Sequence, residues 1–263
     1  GSRPMARPPA DDQHPVRPGC EPWSAPGGPH GALVLHGFTG TPISMRPVGE
    51  ALADAGFAVE LPRLPGHGTE VEDMLPTTFE DWLAEADRAL AALRARVPDG
   101  RVVVVGLSMG GALTVALAQR HADLAGIALI NTPVAIPQEM ADIVQQMLDG
   151  GLEVMDSIGN DIAKPDLDEG SYDQTPLRPL LSLVEAGPRL REGLGDITCP
   201  ALAVTSRQDH VVNPGDSDVL AEELGGPVER VWLEQSYHVA TLDHDADLVR
   251  EAVAAFAQRV TSG

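Results

Sequence analysis

The stretch from Gly106 to Gly110 reads GLSMG: a lone hydroxyl, Ser108, with a glycine two residues to either side. It follows four valines, Val102–Val105, which read as a strand buried on both faces, and it precedes a run of small and apolar residues that reads as a helix. Glycines at such a seam let strand and helix pass closely and let the serine take a strained turn that turns its oxygen outward. The amino end of the helix then faces the same point and stabilises negative charge forming there. Residue types and spacing therefore point to a nucleophilic serine.

A serine hydroxyl needs a base, and the base needs a carboxylate to orient it. The chain has eight histidines. His14, His30 and His121 fall in the leading segment or at a helix end. His36 ends a strand, His67 lies in a turn, His210 follows Asp209, and His244 opens the last helix. His238, in QSYHVATLD just beyond the last strand, fits a general base best. The carboxylate is expected at another strand end between serine and histidine, and Asp209 in SRQDHVV meets that condition. Asp196 precedes its strand and Asp216 opens a helix; both read as solvated loop or cap residues. Two backbone N–H groups complete the set: that of Met109, directly after the serine, and that of Phe38 in LHGFTGTP, where Gly37 lets the loop pass close. Such donors each contribute about 3–4 kcal/mol to stabilising an oxyanion.

These residues require strands ending on one rim. Strands are expected at Ala32–His36, Phe57–Leu61, Val102–Val105, Gly126–Ile130, Ala201–Thr205 and Val228–Leu233. Helices are expected at Pro47–Ala55, Phe79–Arg96, Met109–His121, Asp216–Leu224 and Asp245–Val260. This alternation implies an α/β fold with a mostly parallel central sheet covered on both faces. Residues 31–133 and 188–263 form the core. Residues 1–30, rich in proline and glycine, read as a mobile or loosely draped tail. Residues 134–187 hold no convincing strand. They read as an insert with one amphipathic helix, Pro137–Leu148, whose Met140, Ile143, Val144, Met147 and Leu148 share a face.

Composition sets outer bounds. The 263 residues, 43% of them hydrophobic, suffice for one large core. The formal net charge of −21 disfavours nucleic acid and anionic bilayers as partners. Cys20 and Cys199 are too few and too far apart for a metal site, and no metal or organic cofactor is expected. No stretch is long enough for stable membrane insertion. Residues 1–30 lack the apolar segment of a signal peptide, so a cytoplasmic location is expected. Gly1-Ser2 reads as an addition ahead of a natural start at Met5. Oligomeric state is not legible.

From about residue 32 to the carboxyl end the sequence resembles the α/β-hydrolase superfamily. More narrowly it is similar to bacterial monoacylglycerol lipases and thermostable carboxylesterases. LVLHGFTGTPISMRPV, LPRLPGHGT, VVGLSMGGALTVALA, CPALAVTSRQDHVV and LEQSYHVATLD carry the resemblance. It implies a small cap formed by the insert and a triad of Ser108, Asp209 and His238. It also implies an apolar residue and a carboxylate in the cap that meet the ester and glycerol ends of a substrate. By local match to SIGNDIAKPDLDEGSY these are Ile158 and Glu169, although the sequence departs from the family between them. The expected partner is a small acyl ester or monoacylglycerol. A short-to-medium-chain carboxylesterase, an acyltransferase and a non-catalytic binding protein of the same fold remain alternatives.

Overall fold

The computed structural model describes residues 12–157 and 160–262. Strands β1 (Trp23–Ala25), β2 (Gly31–Leu35), β3 (Ala58–Leu61), β4 (Val102–Leu107), β5 (Gly126–Ile130), β8 (Ala201–Ser206) and β9 (Val228–Leu233) form one sheet. Their order is β1-β3-β2-β4-β5-β8-β9, and every pairing is parallel except β1 with β3. Strand β4 lies at the centre, in register with β2 from Val102 opposite Gly31 and with β5 from Val103 opposite Gly126.

Side chains leave a strand to alternate sides, and the two cores show it. Leu33, Leu35, Val102 and Val104 pack with α3 (Phe79–Arg96), α4 (Met109–Arg120) and α6 (Leu177–Glu192). Ala32, Val34, Val103 and Val105 pack on the opposite face with α1 (Pro42–Asp54) and α8 (Ala246–Thr261). Trp82 of α3 is fully buried, and its indole N–H donates to Pro65 O at 3.1 Å. Helix α3 starts where the sequence places it: the Asp81 carboxylate accepts both the N–H and the hydroxyl of Thr78. Helix α1 begins five residues earlier than Pro47. Thr41 caps it, accepting the Ile43 N–H, and Pro42 takes the first turn; Pro47 sits inside the helix.

Two expectations need correction. The first concerns the described part of the leading segment, which is built in rather than loosely draped. Asp73 accepts the backbone N–H groups of Gln13 and His14, and Arg63 pairs with Asp12. Cys20 is buried, and the Arg46 guanidinium lies 4.3 Å from the ring centre of Trp23. The second is that residues 134–187 do contain strands. Strands β6 (Val154–Asp156) and β7 (Gln174–Pro176) form a separate antiparallel pair beside α5 (Gln138–Asp149). Helix α6 runs straight through the expected boundary at 187–188. It buries Leu177, Leu181 and Val184 against Ala141 and Val144 of α5, while Leu183, Ala186 and Leu190 join the main core. Among the described residues no helix is long and apolar enough to cross a membrane.

Burying a large apolar side chain stabilises a fold by about 1.5–3 kcal/mol. Deleting residues 1–25 removes the buried Cys20, the Trp23 contacts and the β1 ladder. The unfolding free energy is expected to fall by about 2–4 kcal/mol in urea titrations. An unchanged midpoint would show that the segment contributes nothing.

Candidate active site

Ser108 stands between β4 and α4 with φ 55° and ψ −121°, a conformation side chains rarely adopt. Close packing of strand and helix enforces it. A Cβ on Gly106 would lie 2.1 Å from Gly110 O, and one on Gly110 would lie 2.3 Å from Leu35 O. The Ser108 N–H donates to Ile130 O of β5 at 2.9 Å, while its carbonyl accepts the N–H groups of Gly111 and Ala112. The turn is thereby held at both ends, and Ser108 stays partly accessible although its neighbours Leu107 and Met109 are buried.

Asp209 follows β8 and His238 follows β9, as the spacing predicts. The imidazole Nδ1 of His238 lies 2.8 Å from Asp209 Oδ2, with the two side chains only 10% and 2% exposed. The other oxygen of Asp209 accepts the N–H groups of Val211 and Val212, both at 2.8 Å. A carboxylate so held accepts a hydrogen bond from Nδ1–H and leaves the Nε2 lone pair free to act as a base. Among the described residues no hydrogen bond joins Ser108 to the His238 ring. They are brought to one place through β5: Ile130 O takes the Ser108 N–H, and the side chain of the next residue, Asn131, donates to His238 O at 2.7 Å. Catalytic hydrogen bonds are often long before substrate arrives and tighten in the complex.

Asn131 is a site residue that sequence reasoning missed. Buried and with φ 43°, it also donates to Ser206 Oγ and accepts the Ser206 N–H. The available signal is an asparagine closing a buried strand, since asparagine tolerates this left-handed turn. His36 is a second such residue. Its Nε2 accepts the Leu64 N–H at 3.1 Å, so Nδ1 carries the proton and donates to Gly37 O at 3.0 Å. Burial lowers its pKa to about 4, opposed by the bond to Gly37, and the ring stays neutral at pH 7. It thereby fixes the loop bearing Phe38. That loop touches the serine turn: a Cβ on Gly37 would lie 3.3 Å from Ser108 Cβ. Among the described residues nothing accepts the N–H of Phe38 or of Met109, so both remain available to an anion. The Phe38 ring meets Trp82 edge-on at 5.8 Å.

The insert brings Glu169 to the same rim. Its carboxylate lies against Gly40, where a Cβ would sit 2.8 Å from Oε2. Its carbonyl accepts the Thr41 hydroxyl and its N–H donates to Asn160 Oδ1. Burial raises its pKa to about 7; His238 opposes the shift and Asp168 adds to it. Ile158 lies outside the described residues. Asp216 is not the solvated cap expected of it. It is buried and accepts the N–H groups of Val134 and Ala135 where the insert begins. Among the described residues no three His, Cys, Asp or Glu side chains are arranged to hold a metal ion.

A strained serine after the central strand of a parallel sheet, with an acid and a base after later strands, defines an α/β-hydrolase. Residues 29–245 match the family described as Serine aminopeptidase, S33, and the chain belongs to that family. It is 46% identical over 244 residues to the thermostable monoacylglycerol lipase of Bacillus sp. (strain H-257), covering 91% of this chain and 95% of that one. It is 27% identical over 241 residues to a carboxylesterase of Bacillus subtilis (strain 168), covering 91% and 97%. A solved structure from work on LipS and LipT, two metagenome-derived lipolytic enzymes, superposes with a TM-score of 0.88. It is 39% identical to this chain and covers 93% of this chain and all of that one.

The raised pKa of Glu169 has a stability consequence. The folded state favours the protonated acid, so its contribution is complete below the ordinary pKa of 4.5 and is lost as pH rises through about 7. Between about pH 4.5 and pH 8 the wild type is expected to lose about 3 kcal/mol relative to Glu169→Gln. Urea unfolding of both proteins across that range checks it. Parallel curves would show an ordinary, ionised carboxylate.

Proposed function

We propose that this chain is a serine ester hydrolase whose main substrates are monoacylglycerols. The observation that carries the reading is the buried Asp209–His238 pair, tied to the same strand end as the strained Ser108. Ser108 Oγ attacks the ester carbonyl carbon while His238 Nε2 takes its proton. The carbonyl electrons move onto oxygen, and the N–H groups of Phe38 and Met109 hold that oxyanion. Asp209 keeps His238 in the productive tautomer and offsets its charge once protonated. Collapse of the tetrahedral intermediate expels the alcohol, which takes the proton from Nε2. Water then attacks the acyl-serine by the same route, releasing the fatty acid.

Two features support monoacylglycerols within the wider class of esters. One is the 46% identity, over nearly the whole chain, to a monoacylglycerol lipase. The other is Glu169, a buried carboxyl group beside Gly40 that senses His238. A carboxyl with its pKa raised to about 7 is protonated below that pH, and then both donates and accepts, which suits the hydroxyls of a glycerol leaving group. The insert, from residue 134 to the start of α6, acts as the cap over this site.

Ser108→Ala is expected to lower kcat by about 10⁶-fold, the scale seen in comparable triads, and to abolish labelling by a fluorophosphonate. Normal activity in that variant would remove the assignment. For the wild type, kcat/KM for monolauroylglycerol should exceed that for 4-nitrophenyl butyrate, and Glu169→Ala should lower the former more. A higher value for the butyrate would instead mark a general carboxylesterase.

A further inference from the structure

We propose that Asp161 is a positioning residue for the acid–base pair: a carboxylate of the insert that sets the spacing of the two loops carrying Asp209 and His238. The inference rests on the triad reading above and assigns a group outside it.

The geometry is specific. Asp161 Oδ2 accepts the backbone N–H of His238 at 3.0 Å and that of His210, directly after Asp209, at 3.2 Å. Its other oxygen, Oδ1, lies 2.8 Å from His210 Nδ1, and its own carbonyl accepts the Val239 N–H at 3.1 Å. One carboxylate thus gathers the peptide after the acid and the peptide of the base. Only 12% of its side chain is exposed. The His210 ring, also held edge-on by Tyr237 at 4.5 Å, closes the bridge from the acid side. The His238 carbonyl in turn accepts from Asn131, so the backbone of the base is held at both its N–H and its C=O by groups from different parts of the chain.

The surroundings point the same way. Two residues further along the insert, the N–H groups of Ala163 and Lys164 donate to Asp243, at 2.7 and 2.9 Å. Asp243 is fully buried and also accepts the N–H groups of Tyr237 and His244. The insert therefore runs beside the base loop as an extra support rather than merely crossing above it. Charge-assisted bonds to backbone N–H groups are short and directional, so they fix position more tightly than apolar packing does. A misplacement of about 1 Å in an acid–base pair costs about 100-fold in rate.

Asp161→Ala is expected to lower kcat about 10- to 100-fold for both a monoacylglycerol and 4-nitrophenyl butyrate, with KM changed less than about twofold. Asp161→Asn, whose amide oxygen still accepts the His238 N–H, should recover part of that loss. Activity is expressed per active site, counted by fluorophosphonate titration, so that unfolded protein does not enter the rate. Asp73→Asn serves as the comparison. Asp73 likewise accepts two backbone N–H groups, from Gln13 and His14, and its loss is expected to lower the Tm without changing kcat per site. The proposal is overturned if Asp161→Ala keeps wild-type kcat per titrated site, whatever its Tm, or if Asn is no better than Ala. Should Ser108→Ala itself remain active, the failure belongs to the triad reading and not to Asp161.

Discussion

The turn at Ser108 constrains everything around it. A side chain at φ 55° costs on the order of 1 kcal/mol or more, and it persists only where the surroundings leave no alternative. Here the alternative is blocked by backbone: strand β2 stands against Gly110, and Gly110 in turn stands against Gly106. The serine stays partly accessible because its neighbours cannot relax inward. The same crowding brings Gly37 against the serine, and among the described residues the Met109 N–H, first in α4, has no acceptor. The proposed nucleophile and oxyanion donors follow from one packing contact between a central strand and the helix that leaves it.

The acid and base depend on that centre through β5, and they share a common device. In a chain of formal charge −21, carboxylates are used as acceptors for loop backbone. Asp209, Asp216, Asp243, Asp245 and Asp161 each accept two or more backbone N–H groups. The bonds to Asp243 hold its pKa below the ordinary value against the opposing effect of burial, so it stays ionised at neutral pH. Part of the chain's acidity is therefore structural. Glu169 is the exception: no such donors reach its carboxylate among the described residues, and burial makes it a weak acid beside the base.

The sequence makes the centre legible and the supports opaque, for a physical reason. Buried parallel strands and the glycine-flanked turn are local patterns, and the run Val102–Gly110 announces strand, elbow and helix in order. Chain order then points to Asp209 and His238. By contrast β1 is three residues in a proline-rich stretch, and its strand character comes only from pairing with β3. Strands β6 and β7 are equally short and define each other. Asn131, Asp161 and Asp243 each hold at least one backbone group 75 or more residues away, and no spacing rule reaches that far. The start of α1 is a different case. Thr41-Pro42 is a legible cap, and Pro47 is the distractor, since both prolines suit an early helical turn.

The insert's attachments also bear on how substrate gains entry. Its first residues are bonded to Asp216, its middle to Asp243 and, through Asp161, to the base loop, and its last helix lies in the main core. Hydrogen bonds to charged groups contribute about 1.5–3 kcal/mol each. Breaking all of these together would cost an amount on the order of a whole domain's stability, about 5–15 kcal/mol. A swing of the entire insert as one body would have to break these bonds together. Between these anchors lies α5, which packs Ala141 and Val144 on α6 while Met140 and Ile143 stay 43% and 52% exposed. The flexible thioether and the branched alkyl side chain there take part in none of the bonds that hold the Asp209 and His238 loops.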